Sequence, residues 1–339
     1  MVLTNAELSK LVDTNDEWIA SRTGARDRAL TAPSASLTCG CAGIRERRIL
    51  SGSETMTQLA AQAASQALAM AGVAAAEVDL ILLCTSSPDD AFGGAGLVQA
   101  AIGANKAVAF DLTAACSGFV VGMITATHYI RCGTYQNVLV IGADALSRYV
   151  DWRDRGTCIL FGDGAGALLM QAAPAGASCA VLGFDMNSDG TGNKSLQACV
   201  AAGVAGGKPN GGDGASDVAR FANITMAGSD VFKFAVRSVP STLLKSLEAA
   251  GMQASQLDWL VMHQANQRIL DSVAQRLDLP SERVVSNIAR FGNTSAASVP
   301  LALDEAVRAG HIKPGQLLGT AGFGAGLSWA SAIVRWGKY

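Results

Sequence analysis

The sequence predicts an α/β fold in which strands and helices alternate. Short and mostly apolar segments, typical of strands buried on both faces, occur at Val78–Cys84, Ala107–Asp111 and Val138–Gly142. An Ala- and Gln-rich segment, Met56–Ala71, precedes them and is closed by Gly72, as helices commonly are. This alternation of helix-prone and strand-prone segments indicates the α/β class.

An internal repeat indicates that the chain consists of two similar halves. The segment Ala71–Cys84 aligns with Ala250–His263 at a spacing of 179 residues. Both copies contain a helix end, a Gly, a loop, an Asp and then a buried strand. Any helix-to-strand connection shares part of this pattern, so one pair alone is modest support. We nevertheless expect each half to supply one strand end to a shared site.

Composition bounds the classes of function. The chain has 339 residues, of which 50% are hydrophobic and 16% are charged, so a large core can form. Its formal net charge of -2 argues against a nucleic-acid partner. No apolar segment has the length and charge-free character of a membrane span, and the N-terminus lacks the layout of a signal or transit peptide. We therefore expect a globular protein that binds neither nucleic acid nor a membrane.

The eight cysteines are scattered among apolar residues, which suits a reducing compartment. Cys39 and Cys41 are the one close-set pair, and no further Cys or His lies near them in the sequence to complete a metal site. The sequence therefore predicts no metal centre.

Cys116 lies where a predicted strand meets a predicted helix. The segment Ala107–Gly118 begins as a strand and passes through small residues to the cysteine, and the apolar segment Phe119–Ile124 follows. The thiol is thus expected in the turn at a helix start, where the partial positive charge and the free N–H groups stabilise a thiolate nucleophile. The alternative is a small apolar cysteine packed in the core.

Three further segments have polar or glycine residues at predicted turns. His263 follows an apolar strand, and Asn293 lies in a turn that leads into an Ala-rich helix. In Gly322–Trp329, glycines at alternate positions allow a backbone to approach a ligand closely. Each segment also has an ordinary explanation: a structural histidine, a helix cap and a tight turn between strands.

Together with other stretches, these segments resemble the β-ketoacyl-acyl carrier protein synthase III family of the thiolase superfamily. The matches occur in family order and extend over nearly the whole chain. The matching stretches are Asn15–Gly24, Asp111–Gly118, Asp154–Gly166, Ile224–Gly228, His263–Asn266, Gly292–Ser298 and Gly322–Gly326.

The resemblance implies a duplicated α-β-α-β-α thiolase fold, which agrees with the repeat, and a homodimer. The first half would be residues 1–171, with the nucleophile Cys116 and an extra segment at 25–43. The second half would be residues 172–339, with His263 and Asn293. Cys116 would take an acyl group, usually acetyl, from an acyl-CoA. His263 and Asn293 would stabilise the enolate that malonyl-acyl carrier protein forms on losing CO₂.

The family's other positions carry over residue by residue. The backbone N–H groups of Cys116 and Ala325 would form the oxyanion hole, and the reaction needs no metal or redox cofactor. CoA would contact Trp18, Arg22, Arg155, Gly228, Phe232 and Asn266. The acidic carrier protein would dock on Lys233, Arg268 and Arg276. The acyl pocket would be formed by Leu146, Phe161, Met226 and a Phe92 that reaches into the other subunit. The ordinary alternative for these apolar positions is the core.

The chain departs from the family pattern in two places. Family members normally begin with an additional strand before the segment equivalent to Leu3–Asn5, and its absence is expected to expose a sheet edge and to destabilise the first half. The extra segment 25–43 accompanies a local repeat, because Gly24–Thr38 resembles Gly43–Thr57 at a spacing of 19 residues. We expect Gly43–Thr57 to occupy the family position, since it continues into the following helix. Both departures are compatible with a mispredicted or alternatively spliced gene and with a real variant.

Two other functions remain open at this stage. One is a condensing enzyme of secondary metabolism with a different acyl donor or acceptor, and the other is an inactive paralogue that serves as a dimer partner or scaffold. The resemblance fits a bacterial cytoplasm and a plastid stroma equally well.

The extra segment follows Arg22, a residue expected to contact CoA, so we predict that it weakens CoA binding. Deleting residues 25–43 should lower the KM for acetyl-CoA relative to the full chain, measured in steady-state kinetics. An unchanged KM in the deletion variant would show that the segment does not affect CoA binding.

Overall fold

The structure, a computed structural model, describes residues 1–24, 43–174, 176, 180–200 and 221–337. The Cys39–Cys41 pair, a loop predicted on composition at Gly203–Gly214 and all but the last residue of the extra segment 25–43 lie outside the described residues.

The described N-terminal part is anchored by a two-stranded ribbon. Strands β1 (Val2–Thr4) and β2 (Glu46–Arg48) pair antiparallel, and the short helices α1 (Asn5–Leu8) and α2 (Asp16–Thr23) follow β1. Gly24 and Gly43 lie against each other, since a Cβ placed on Gly24 would be 2.6 Å from the Gly43 backbone nitrogen. The segment Gly43–Thr57 forms β2, and its Thr55 caps the helix into which the segment continues.

The first sheet has three parallel strands and one antiparallel edge strand. Its strand order is β4-β3-β5-β6, and β6 pairs antiparallel with β5. The strands are β3 (Leu80–Cys84), β4 (Val108–Leu112), β5 (Asn137–Ala145) and β6 (Asp163–Gln171). The helices of this half are α3 (Met56–Ala71), α4 (Ala95–Ile102) and α5 (Gly118–Arg131). The predicted strands and the predicted helix Met56–Ala71 are thus confirmed, with Gly72 in the left-handed conformation at φ 65°.

The second sheet has the strand order β10-β11-β12-β7, in which β10 and β11 are parallel. Its strands are β7 (Ala180–Ser188), β10 (Trp259–Met262), β11 (Leu317–Gly324) and β12 (Ser328–Arg335). A small ribbon of β8 (Leu196–Gln197) and β9 (Thr225–Met226) lies between β7 and β10 in the chain. The helices are α6 (Gly228–Ala249), α7 (Gln267–Arg276), α8 (Ile288–Phe291) and α9 (Ser298–Arg308).

The internal repeat is confirmed in the backbone. Gly72 and Gly251 both adopt the left-handed conformation, with φ of 65° and 64°. Asp79 then accepts the backbone N–H of Asn137, at the start of β5, and Asp258 accepts that of Leu317, at the start of β11. The two aspartates therefore fix equivalent strand pairs, because each ties the strand it precedes to its parallel neighbour.

Layers of helix and sheet alternate through the molecule, as the predicted thiolase-like class requires. Helices α5 and α9 lie between the two sheets, and Phe119 and Val299 share one buried core with Val140 of the first sheet and Ala332 of the second. Helix α3 packs on the outer face of the first sheet and α6 on the outer face of the second. No helix in the described ranges has the length and apolar character needed to cross a membrane.

Among the described residues, each sheet has one edge strand without a counterpart in the other: β4 in the first sheet and β7 in the second. β7 pairs along the full length of β12, whereas among the described residues no strand pairs with the outer edge of β6, its counterpart. A cavity of about 880 Å³ lies along this edge, bordered by residues 167–171, α3 and α9. The exposed edge expected from the sequence is therefore found at β6. The described residues place four strands on either side of the central helices.

The open edge predicts a local difference in backbone protection. Residues 167–170 are half-buried, whereas Ala330–Ile333 in β12 are fully buried beside β7. Amides of 167–170 that do not bond to β5 should exchange with deuterium roughly 100-fold faster than those of Ala330–Ile333. Peptide-resolved hydrogen exchange measures this, and equal protection of the two segments would show that the edge of β6 is covered.

Candidate active site

The nucleophile candidate lies in a strained turn. After β4 the chain makes a 3-10 turn, Ala115–Ser117, and enters α5 at Gly118. Ala115 has φ 47°, a conformation that costs energy for any residue with a Cβ and that the surrounding structure must hold in place. The turn directs Cys116 to the beginning of α5, as the sequence predicted.

Burial reverses the expected charge state of this thiol. Cys116 is only 7% exposed, and burial raises its pKa to about 12. Hydrogen bonds from Ser295 Oγ and from the backbone N–H of Cys116 lower the pKa and offset only part of the burial effect. The expectation that the helix start would leave a thiolate is therefore wrong for the unliganded protein, because a pKa of about 12 keeps Cys116 a protonated thiol at neutral pH.

The glycine-rich turn after β11 lies directly on the cysteine. A Cβ on Gly324 would be 2.8 Å from the Cys116 backbone nitrogen and 3.2 Å from Sγ, so glycine alone fits there. Ser328 stabilises this turn, because its hydroxyl lies within hydrogen-bond distance of the carbonyl oxygens of Ala114 and Ala325, at 3.2 and 3.1 Å. The nucleophile turn and the Gly324–Ala325 backbone are thereby held together from opposite halves of the chain.

His263 lies at the end of β10 and is almost completely buried, at 1% exposure. Burial lowers its pKa to about 3, because a charged imidazolium would lose its hydration without gaining a carboxylate partner. The ring packs edge-on against Phe323, with 5.1 Å between the ring centroids. His263 is therefore neutral across the physiological pH range.

Asn293 lies in the turn that leads into α9. Its side-chain Oδ1 accepts the backbone N–H of Ser295 at 2.9 Å, which leaves the amide NH₂ group for another partner. Its backbone N–H donates to the carbonyl of Leu160, and its backbone carbonyl accepts the N–H of Gly162. The first half of the chain thus positions the asparagine that the second half supplies.

One turn joins the three predicted catalytic side chains. Within residues 293–298, Ser295 Oγ donates to Cys116 Sγ at 3.3 Å. Ser298 Oγ lies 2.7 Å from Nδ1 of His263. The structure therefore brings Cys116, His263 and Asn293 to a single site between the two sheets.

The predicted CoA residues form two groups at the described surface. The guanidinium groups of Arg22 and Arg155 lie 5.3 and 5.0 Å from the ring centroid of Trp18, within cation–π range. Asn266, which caps α7, donates its side-chain amide to the Arg22 carbonyl at 2.9 Å. Asn266 thus links the Trp18 group to the chain that follows His263.

The second group lies on α6 and α7, which pack against each other. Gly228 begins α6 and Phe232 lies one turn later, with the guanidinium of Arg268 5.1 Å from its ring centroid. Lys233 and Arg276 are exposed, and Arg276 ends α7. The three predicted docking cations are therefore on these two helices.

Three of the four predicted acyl-pocket residues share one apolar cluster. Leu146 and Phe161 are buried in it, and Met226 packs against it. Phe92 instead is fully exposed and lies outside this cluster.

Sequence reasoning assigned no role to several side chains that contact the site. Ser295 and Ser298 lie within the motif Gly292–Ser298, and their spacing of three residues places both on the same face of the turn that enters α9. Ser328 lies in the Gly322–Trp329 segment, two residues after the last glycine. No sequence pattern pointed to Asp144, because an aspartate near the end of an apolar strand is common where a strand passes into a loop.

Comparisons with known proteins agree with this geometry. Family models of 3-oxoacyl-[acyl-carrier-protein (ACP)] synthase III and of its C-terminal part match residues 110–190 and 247–336. A β-ketoacyl-[acyl-carrier-protein] synthase III of Nostoc sp. is 52% identical over 336 residues, covering 99% of this chain and 94% of the relative. A chloroplastic β-ketoacyl-[acyl-carrier-protein] synthase III of Arabidopsis thaliana is 51% identical, covering 99% of this chain and 80% of the relative.

Solved structures show the same similarity. The 3-oxoacyl-(acyl carrier protein) synthase III of Pseudomonas aeruginosa PAO1 has 40% sequence identity and a TM-score of 0.86, covering 100% of this chain and 95% of that one. The fold and site define a thiolase-like condensing enzyme, which is an acyltransferase. Within that class, the chain belongs to the β-ketoacyl-acyl carrier protein synthase III family.

The raised pKa of Cys116 predicts its reactivity towards iodoacetamide. Because the thiolate is the reactive form, the alkylation rate of Cys116 should rise about tenfold per pH unit from pH 7 to about 9 with no plateau. Mass spectrometry of the Cys116 peptide separates this reaction from that of the exposed Cys132 and Cys199. A rate that levels off below pH 8 would show that the substrate-free enzyme holds a thiolate.

Proposed function

We propose that this enzyme catalyses the initiating condensation of fatty acid synthesis. An acyl group, with acetyl as the expected donor group, moves from acyl-CoA to Cys116 and is then condensed with malonyl-acyl carrier protein. The product is a 3-ketoacyl-acyl carrier protein, with release of CO₂. The observation that carries this proposal is the 293–298 turn, which contacts Cys116 and His263 and supplies Asn293.

The first step is acyl transfer. Cys116 Sγ attacks the thioester carbonyl, its proton passes to the leaving CoA sulfur, and an acyl-cysteine remains. The oxygen of the tetrahedral intermediate is negative, and the backbone N–H groups of Cys116 and Ala325 are the proposed donors to it. The close approach of Gly324 to Cys116 supports this arrangement, since a larger residue would push the two backbones apart.

The second step is decarboxylation and carbon–carbon bond formation. The malonyl thioester loses CO₂, and its electron pair passes into an enolate whose oxygen accepts hydrogen bonds from His263 Nε2 and Asn293 Nδ2. The enolate carbon attacks the acyl-cysteine carbonyl, and the Cys116 sulfur leaves and takes up one proton from solvent. Asn293 suits this role because its Oδ1 is already occupied by Ser295, so its NH₂ group faces away from that bond.

Ser298 sets the tautomer that this step requires. Its hydroxyl can donate either to His263 Nδ1 or to the Ser295 carbonyl, each at 2.7 Å. That carbonyl also accepts the backbone N–H of Ser298, so it does not depend on the hydroxyl. Donation to Nδ1 leaves the proton on Nε2, where a neutral imidazole can donate to the enolate oxygen. No step of this scheme calls for a metal or redox cofactor.

CoA is proposed to enter between the two surface groups. The adenine ring would stack on Trp18, with Arg22 and Arg155 available to the phosphates, and the pantetheine arm would pass Gly228, Phe232 and Asn266. The acidic carrier protein would dock on Lys233, Arg268 and Arg276. The acyl chain would enter the cluster of Leu146, Phe161 and Met226.

The edge of the first sheet supports the proposed homodimer. On β4, Val108 and Phe110 are 48% and 37% exposed, and nearby Leu97 is 51% exposed. Exposed apolar edge strands are commonly covered by another chain. A partner seated on this face would explain the complete exposure of Phe92, which is proposed to reach the other subunit's acyl pocket.

A second function is favoured by one solved structure. The priming β-ketosynthase from the R1128 polyketide biosynthetic pathway has 34% sequence identity and a TM-score of 0.84, covering 100% of this chain and 93% of that one. A donor other than acetyl-CoA is therefore the alternative. We propose a bacterial cytoplasm or a plastid stroma as the location, since the relatives include cyanobacterial and chloroplastic proteins.

The proposed function predicts CO₂ release and 3-ketoacyl product when the enzyme is given acetyl-CoA and malonyl-acyl carrier protein. Cys116→Ala should abolish condensation, because no acyl-enzyme can form, while the fold and the His263–Asn293 pair persist. The assay follows labelled CO₂ and the product by mass spectrometry.

Other outcomes of this assay decide between the alternatives. Turnover only with acyl-CoA donors longer than acetyl would favour secondary metabolism. No turnover with any acyl-CoA, in protein that is folded by circular dichroism, would favour the inactive paralogue.

A further inference from the structure

Asp144 is a completely buried carboxylate that the proposed scheme does not use. It lies one residue before the end of β5, at 0% exposure. Such a group is costly to bury unless its oxygens are hydrogen-bonded. The hydrogen-bond partners of Asp144 therefore indicate which parts of the structure it stabilises.

The two carboxylate oxygens face opposite halves of the chain. Oδ1 accepts the backbone N–H of Ser86 at 2.8 Å, the hydroxyl of Ser87 at 2.8 Å and that of Thr85 at 3.2 Å. These donors directly follow β3, which ends beside β5 because the two strands are parallel. Oδ2 accepts the backbone N–H of Ala296 at 3.2 Å, from the turn that supplies Asn293.

The same turn rests on β5 at a second point. A Cβ on Gly142 would be 2.3 Å from the carbonyl oxygen of Ala296, so the turn lies directly on the bare backbone of β5. Residues 142 and 144 point to the same face of the strand, since side chains alternate. Strand β5 therefore contacts Ala296 at two points. The Ala296 carbonyl packs against Gly142, and the Ala296 N–H donates to Asp144.

We propose that Asp144 is a positioning residue for decarboxylation: it fixes the 293–298 turn against the first sheet and so aims Asn293 and Ser298 at the reacting groups. Ser295 has φ 51°, which is strained for a residue with a side chain and requires support from its neighbours. Ala296, the next residue, receives that support from Asp144. The inference rests on the proposed function, because it assigns Asp144 to the step in which Asn293 and His263 stabilise the enolate.

The Asp144→Asn variant tests this with little change in shape. In this variant the side-chain carbonyl oxygen at position 144 can keep the three donors from Thr85, Ser86 and Ser87. The new NH₂ group then faces the backbone N–H of Ala296, and the turn is displaced because two donors cannot bond to each other. Decarboxylation of malonyl-acyl carrier protein should fall roughly 10- to 100-fold. Acetyl transfer from acetyl-CoA to Cys116 should stay within about threefold, because the proposed oxyanion donors lie outside the turn. A weaker contact from Ser295 to Cys116 is offset by loss of the Asp144 charge, which raises the pKa of Cys116.

The matched control is Asp79→Asn. Asp79 also accepts backbone N–H groups, from Gln136 and Asn137, but at the opposite end of the same strands. The Asp79→Asn variant should keep the rates of acetyl transfer and of decarboxylation within about twofold of the unmodified enzyme. If Asp144→Asn does not fold, Ser87→Ala is the second variant, since it removes one donor to Oδ1 and should produce the same selective loss at a smaller size.

The outcomes separate the two proposals. If the unmodified enzyme releases no CO₂ from malonyl-acyl carrier protein, the proposed function fails. Suppose instead that the unmodified enzyme releases CO₂. If the folded Asp144→Asn variant, or Ser87→Ala in its place, then decarboxylates malonyl-acyl carrier protein at the unmodified rate, the positioning role is overturned. Equal loss of acetyl transfer and decarboxylation would also overturn it, because the defect would then not be specific to the step that uses Asn293 and His263.

Discussion

The packing of the 293–298 turn against the first sheet is the constraint on which the site depends. Gly142 allows the Ala296 carbonyl to lie on the strand, and the turn then reaches Cys116 through Ser295 and His263 through Ser298. The nucleophile comes from one half of the chain and the other two side chains come from the second half. This contact therefore brings the side chains from the two halves together.

Burial determines the charge state of the whole site. His263 has a pKa lowered to about 3 and Cys116 a pKa raised to about 12, so both are neutral before substrate binds. A neutral imidazole can donate a hydrogen bond to the enolate oxygen. A charged imidazolium would instead form an ion pair with the malonyl carboxylate before CO₂ is lost. The same dry environment strengthens each hydrogen bond to the developing negative charge. Neutral groups in a low-dielectric site therefore suit a reaction whose intermediates are anions.

The duplication supplies the scaffold and also shows where the two halves differ. Equivalent glycines, aspartates and strands recur, from Gly72 and Gly251 to the pairs β5–β6 and β11–β12. β12 is flanked by β7, whereas the outer edge of β6 borders a cavity. The central helices α5 and α9 bury their apolar side chains between both sheets, which makes the core common to the two halves.

Several features followed from local sequence because their physical causes are local. The three predicted apolar segments form strands, and Gly72 ends its helix in the left-handed conformation. The recurrence of Asp79 as Asp258 marks equivalent strand starts. Cys116 was correctly placed at a helix start, since the strand, the small residues and the apolar helix are continuous in the chain. The resemblance then indicated the family and the three candidate catalytic side chains.

The tertiary structure alone decided the charge of the thiol, the partners of His263 and the role open to Asp144. A helix start favours a thiolate, but the pKa of Cys116 depends on how completely other segments exclude water from it. Ser295, Ser298 and Asp144 come within hydrogen-bond distance of their partners across 35 to 179 residues of chain. The sequence by itself therefore determined the elements, because these depend on neighbouring residues, and its family resemblance indicated the candidate reacting groups. Their protonation and orientation were decided by packing, because they depend on contacts between distant ones.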